Sequence, residues 1–165
     1  MINISGFGLS VNIVALQTFP MGFTVKQFAD EVDPISFEPM EPVGYKMLYD
    51  ESLFQYNKAA PVIVTLGVLP QTTDDINLKL MLTSKKGTTS LIPFSDTTTM
   101  VVSYPDGGKV VLSEGTIVSG PVGDSVSANG RKSCNRYRFA FGTVAGLQSS
   151  TESIVSVAQG LLGLL

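Results

Sequence analysis

The sequence predicts a mainly β domain with one helix inside the chain and a short apolar helix at its C-terminal end. Two β-branched runs, Thr99-Met-Val-Val-Ser-Tyr104 and Lys109-Val-Val-Leu112, are separated by Pro105-Asp106-Gly107-Gly108. Pro105 presets φ for the first turn position, Asp106 tolerates the second and Gly107 supplies a positive φ, so Thr98 to Gly115 reads as a hairpin. In Tyr137-Arg138-Phe139-Ala140-Phe141 the aromatics share one face of a strand over 135–143, with Arg136, Arg138 and Ala140 on the other. Composition agrees: of 165 residues, 15% are charged and 44% hydrophobic, with 16 Gly and 9 Pro. A chain of this length buries about 70% of the surface it exposes when unfolded, enough for one core without disulfides or metals.

Taken in order, 8–19 reads as a first strand, with Val11, Ile13 and Ala15 on one face, Pro20-Met21-Gly22 as the turn and 23–28 as its partner. Residues 29–42 hold Asp30, Glu31, Asp33, Glu38 and Glu41 with three prolines and no neighbouring base. The prolines exclude a central strand, leaving either an acidic docking loop or an extended solvated connection. Residues 45–49 form a short strand. Residues 50–60 read as a loop with Phe54 and Tyr56 as possible anchors, and 61–69 as the most buried strand. A helix is expected over 74–85, with Thr73-Asp74-Asp75 as cap oxygens and first-turn charge and Ile76, Leu80 and Met81, broadened by Leu78 and Leu82, as the covered stripe. Lys85 and Lys86 suit its C-terminal end and Gly87 its stop. Residues 87–96 read as a polar loop, 116–118 as a continuation of the sheet and 119–130 as a run of turns. The main domain is expected at 1–146. In 147–165 a polar link (146–151) precedes an apolar helical pattern through Ile154, Ala158, Leu161, Leu162 and Leu165. Burying each Ile or Leu is worth about 1.5–3 kcal/mol, so this face is covered by the chain's own core or by a neighbouring subunit.

Charge and missing residue types narrow the function. The net charge is −3, from 11 Lys+Arg and 14 Asp+Glu, and no basic stripe offers phosphates a grip. There is no histidine, hence no Cys-His relay for the single Cys134 despite Arg131, Lys132 and Arg136 nearby. Asp74 and Asp75 are adjacent carboxylates at a helix start and read as caps rather than a catalytic pair. Gly6-Phe7-Gly8 and Gly120-Pro-Val-Gly123 read as turns, not phosphate loops. No catalytic residue, metal ligand set or cofactor site is expected. No secretory signal is evident, and no apolar run is long enough to span a membrane.

Three stretches then resemble a known family. They are Ala60-Pro-Val-Ile-Val-Thr-Leu-Gly-Val-Leu-Pro-Gln-Thr-Thr-Asp-Asp-Ile-Asn-Leu, Val101-Val-Ser-Tyr-Pro-Asp-Gly-Gly-Lys-Val-Val-Leu-Ser-Glu-Gly-Thr-Ile, and Ser125-Val-Ser-Ala-Asn-Gly-Arg-Lys followed by Tyr137-Arg-Phe-Ala-Phe141. In this order they cover about half the chain and resemble structural proteins of contractile-tailed bacteriophages, the tail-tube and related baseplate ring proteins. The resemblance implies a β-sandwich or partly closed barrel flanked by a helix, six copies in a ring, and closure that removes open sheet edges. It implies a virion protein made in the host cytoplasm, with tube, sheath or baseplate proteins as partners. It also implies a weakly acidic lumen through which DNA is ejected without specific binding, and no membrane or small-molecule partner. Subunit contacts are expected at Glu31, Asp33, Glu38, Phe54, Tyr56, Ile154, Leu161, Leu162 and Leu165. The leading expectation is a tube ring. The alternatives are a baseplate adaptor ring that starts the tube or joins it to the hub, and a soluble β-sandwich binding module.

Overall fold

The structure, a computed structural model, describes residues 5–85 and 97–148, with side chains to residue 144. The predicted loop at 87–96 and the C-terminal helix, with Ile154, Leu161, Leu162 and Leu165, lie outside the described residues.

The core is one antiparallel sheet. Its strands are β1 (Ser10–Ala15), β2 (Phe19–Val25), β3 (Ile35–Phe37), β6 (Val62–Val68), β7 (Thr98–Ser103), β8 (Lys109–Ser119) and β9 (Asn135–Gln148), in the order β2-β1-β7-β8-β9-β6-β3. β4 (Val43–Met47) and β5 (Leu53–Asn57) form a separate hairpin, and α1 (Thr73–Ser84) is the helix among the described residues. The sheet curls into a half-barrel. After β2 the chain crosses to the far side: Phe28 bridges Val68, Ala29 N–H donates to Gly67 O and Leu69 N–H to Gln27 O. This bridge is the partial closure that the family resemblance implied.

Inward-facing residues follow the strand period. Val11, Ile13 and Ala15 from β1, Met100 and Val102 from β7, Val64, Leu66 and Val68 from β6 and Tyr137, Phe139 and Phe141 from β9 are all buried. In β8 the phase shifts midway, so that Val110 and Leu112 are followed by Gly115 and Ile117. Glu114 takes up the extra residue at φ 56, the signature of a bulge. The β7–β8 turn is as predicted, with Gly107 at φ 92 and Asp106 Oδ1 accepting from Gly108 N–H. The 116–118 run belongs to β8 itself.

Several boundaries differ from expectation. The first turn is Leu16-Gln17-Thr18, and Pro20-Met21-Gly22 lies inside β2. β2 is an edge strand, where a proline leaves no ladder bond unmade. β3 arises within the proline-rich segment. It pairs through Ile35↔Leu66 and Phe37↔Val64, and its position at the other edge again explains how prolines fit beside it. The 50–60 loop contains β5, because Asp50-Glu51-Ser52 turns the chain back onto β4. β9 runs to Gln148, so the expected link begins inside a strand, with Gly146 opposite Val111.

The helix forms one residue earlier than predicted and faces another way. Thr72 is the N-cap and accepts from Asp75 N–H. Leu78 and Met81 are buried, whereas Ile76 and Leu80 are more than half exposed. The acidic pair sets this rotation, because Asp74 and Asp75 both point inward. α1 is not long and apolar enough to cross a membrane.

Candidate assembly interface

Two regions of side chains stand apart from the apolar core. The first is polar and internal. Asp75 is fully buried, and its Oδ1 accepts from Tyr137 OH at 2.7 Å and from Asn135 Nδ2 at 2.8 Å. Lys79 Nζ lies 3.0 Å from Asp75 Oδ2 and also pairs with Asp124, which Lys132 and Asn135 reach at 3.1 Å each. Asp74 Oδ2 accepts the backbone N–H groups of Lys26 and Gln27 at 3.0 and 3.1 Å. Hydrogen bonds from Lys79, Asn135 and Lys132 hold the Asp124 carboxyl far below the usual carboxylate range. Burial, then the hydrogen bond to Asp75, pushes the Tyr137 phenol well up, so it stays a donor. The two carboxylates therefore do more than cap the helix. Asp74 ties it to the chain leaving β2, and Asp75 ties it to the start of β9. Each of these side chains has a partner within the chain, so the cluster reads as an internal tie between α1, β2 and β9. No cluster able to hold a metal occurs among the described residues.

The second region is apolar and external. On the β4–β5 hairpin every residue except Gly44 is exposed. Exposure reaches 77% at Tyr45, 62% at Met47, 58% at Leu53 and 54% at Phe54. The ladder register places large apolar side chains on both faces. Val43, Tyr45, Met47 and Leu53 share one face with Gln55 and Asn57, and Phe54 and Tyr56 share the other with Gly44 and Lys46. The rings of Phe54 and Tyr56 stand 6.0 Å apart. Tyr56 lies so close over Gly44 that a Cβ there would meet the ring at 2.2 Å, which fixes this pairing register. The hairpin hydrogen-bonds to neither edge of the main sheet. A lone two-stranded hairpin is marginal in water, and apolar groups on both its faces need a cover that this chain's described residues do not supply.

The structure separates the acidic candidates from the aromatic ones. Glu31 pairs with Arg131 at 3.0 Å and Glu38 with Arg138 at 3.1 Å, both half-exposed, and Asp33 is exposed beside β3. The bases missing from the local sequence come from far along the chain. Arg131 also holds Asp30, whose carboxyl is lowered by that hydrogen bond and by the Cys134 thiol. Such solvated pairs contribute little stability, but they occupy the acidic loop. Phe54 and Tyr56, by contrast, fall together on the hairpin. Sequence reasoning missed Tyr45, Met47 and Leu53 as their companions. The available signal was Asp50-Glu51-Ser52 between two strand-like runs, with Glu51 at φ 66 and Leu48 N–H donating to Ser52 O.

The fold has known counterparts. A chain of the cryo-EM anti-feeding prophage baseplate, symmetrised 6-fold, matches with a TM-score of 0.58 and 11% identity, over 92% of this chain and 99% of that one. A chain of the sheath/tube terminator of the PVC extracellular contractile injection system, in its extended state, matches with a TM-score of 0.54 and 11% identity, over 90% and 98%. At such identities the likeness is one of fold. No curated protein sequence matches. The family described as "Tail fiber protein gp32" matches residues 2–145. This chain, a β half-barrel with a separate, exposed β4–β5 hairpin, belongs to that family of phage-tail structural proteins.

Proposed function

We propose that this protein is a non-enzymatic ring subunit of a contractile phage tail, with six copies surrounding the path that DNA takes on ejection. The observation that carries the reading is the β4–β5 hairpin, which exposes large apolar side chains on both faces. One copy's hairpin lies against the next, in a head-to-tail contact that closes into a ring. Phe54 and Tyr56 sit in that contact. Asp33, with the Glu31–Arg131 and Glu38–Arg138 pairs flanking edge strand β3, faces the neighbouring copy or ring. Both sheet edges are blunted, β2 by Pro20 and β3 by its length of three residues, so the hairpin rather than open edge pairing gives the contact its specificity. The net charge of −3 leaves DNA free to slide. The subunit is made in the host cytoplasm and incorporated into the virion tail.

Between the two positions in the tail, an adaptor ring at one end of the tube is the better-supported reading. The fold matches of highest TM-score described above come from a baseplate and from a sheath/tube terminator. A repeated tube ring is the second reading, favoured by the order of the three tube-like sequence stretches. Solution mass with negative-stain microscopy at rising protein concentration separates them. An adaptor gives isolated rings, or rings that form when a tube or baseplate protein is added. A tube subunit gives long tubes with a regular axial repeat. A monomer indifferent to every tail component contradicts both.

A further inference from the structure

We infer that the open end of the half-barrel is the seat of the chain's own C-terminal apolar segment, residues 154–165. The two ends of the β8–β9–β6 region differ. At one end α1 covers the core with Leu78 and Met81, and Asp75 binds Asn135 and Tyr137 at the start of β9. At the other end a groove of about 300 Å³ lies open, lined by Phe37, Met40, Val62, Val110, Leu112 and Val144, with Tyr104 at its side. A groove of this size lies at the bottom of the range for small-molecule sites and lacks the convergent polar groups that orient a ligand. Aliphatic side chains are its natural occupants.

The register says which ones. β9 runs from the helix end to the groove end: Asn135 pairs with Val68, Val144 with Leu112 and Gln148 with Lys109. The chain therefore leaves the sheet beside the groove, just beyond a residue that lines it. The link 149–153 reaches at most about 17 Å, enough to reverse direction and no more than a local excursion. Beyond it, residues 153–165 contain no charged side chain, and Ile154, Ala158, Leu161, Leu162 and Leu165 recur at helical spacing. A segment tethered this close meets its own groove at an effective concentration in the millimolar range, above that of a free second copy. It would cap this end much as α1 caps the other. The inference stands whether or not the protein forms rings.

Paired cysteines test it in the full chain carrying Cys134→Ser. Met40→Cys is combined in turn with Ala158→Cys, Leu161→Cys, Leu162→Cys and Leu165→Cys, and Met21→Cys, on the remote edge strand β2, serves as control. After mild oxidation, at least one Met40 pair is expected to link about tenfold more than its Met21 control, within the monomer band of a non-reducing gel. Linked peptides confined to dimer bands would place the segment on a second copy and overturn the inference, as would linking no greater than the control. Hydrogen–deuterium exchange on the unaltered protein gives an independent reading. Amides of 154–165 should be protected in the monomer, and exchange at the rate of an unstructured peptide would contradict the inference.

Discussion

The base of α1 and the β4–β5 hairpin invert the usual relation between polarity and burial. At the helix base, charged and polar side chains lie inside and each meets a partner from its own chain. On the hairpin, large apolar side chains lie outside and meet few. The difference separates residues that the fold uses from residues that it presents. Asp75 is committed to Tyr137, Asn135 and Lys79, so it has nothing to offer an outside molecule. Tyr45, Met47, Leu53 and Phe54 add little to the core and remain available. If this contrast is right, substitutions at the helix base change stability, and substitutions on the hairpin change assembly with the fold intact.

The largest stability effect is expected from Asp75→Ala, which leaves the buried Tyr137 OH without its acceptor and Asn135 and Lys79 each without one of two. Chemical denaturation should show a loss of about 3–5 kcal/mol. Asp74→Ala removes the acceptor of two backbone N–H groups that hold the end of β2, and should cost about 1.5–3 kcal/mol in the same assay. A smaller effect is expected from pH. Because the folded protein holds Asp124 far below the usual carboxylate range, its contribution is complete above the unfolded pKa and is lost as pH falls toward the folded value. The wild-type denaturation midpoint should therefore fall progressively below about pH 4, and Asp124→Asn should make that acid slope shallower while lowering the midpoint at neutral pH. The smallest stability effect belongs to Tyr45→Ser with Phe54→Ser, which should stay within about 0.5 kcal/mol per site. Tyr56 is left in place there because its ring covers Gly44.

The same contrast explains what could be read from the residues alone. The β7–β8 hairpin and the inward aromatics of β9 were legible because alternation and turn chemistry are local. The partial barrel closure was legible only through the resemblance, since the Phe28↔Val68 bridge joins residues forty apart in sequence. The helix was placed within one residue, but its buried face was not. A hydrophobic stripe through Ile76 and Leu80 lost to two carboxylates whose partners, Lys26, Gln27, Asn135 and Tyr137, are remote. β5 was hidden for a related reason. Leu53-Phe54-Gln55-Tyr56-Asn57 alternates from Phe54 on, but its aromatic face is exposed and the strand pairs with β4 alone, so nothing in the pattern ties it to the core sheet. In the candidate interface, Phe54 and Tyr56 were visible as aromatics in a polar stretch. Glu31 and Glu38 read as unopposed acids because Arg131 and Arg138 lie a hundred residues away.

The most direct test of the central claim compares wild type with the Tyr45→Ser/Phe54→Ser variant by solution mass and denaturation midpoint, across a range of concentrations and with added tail components. The account predicts that wild type assembles into rings, and that the variant stays monomeric with a midpoint close to that of wild type. A variant that assembles as well as wild type, or a wild type that stays monomeric under every condition, would contradict it.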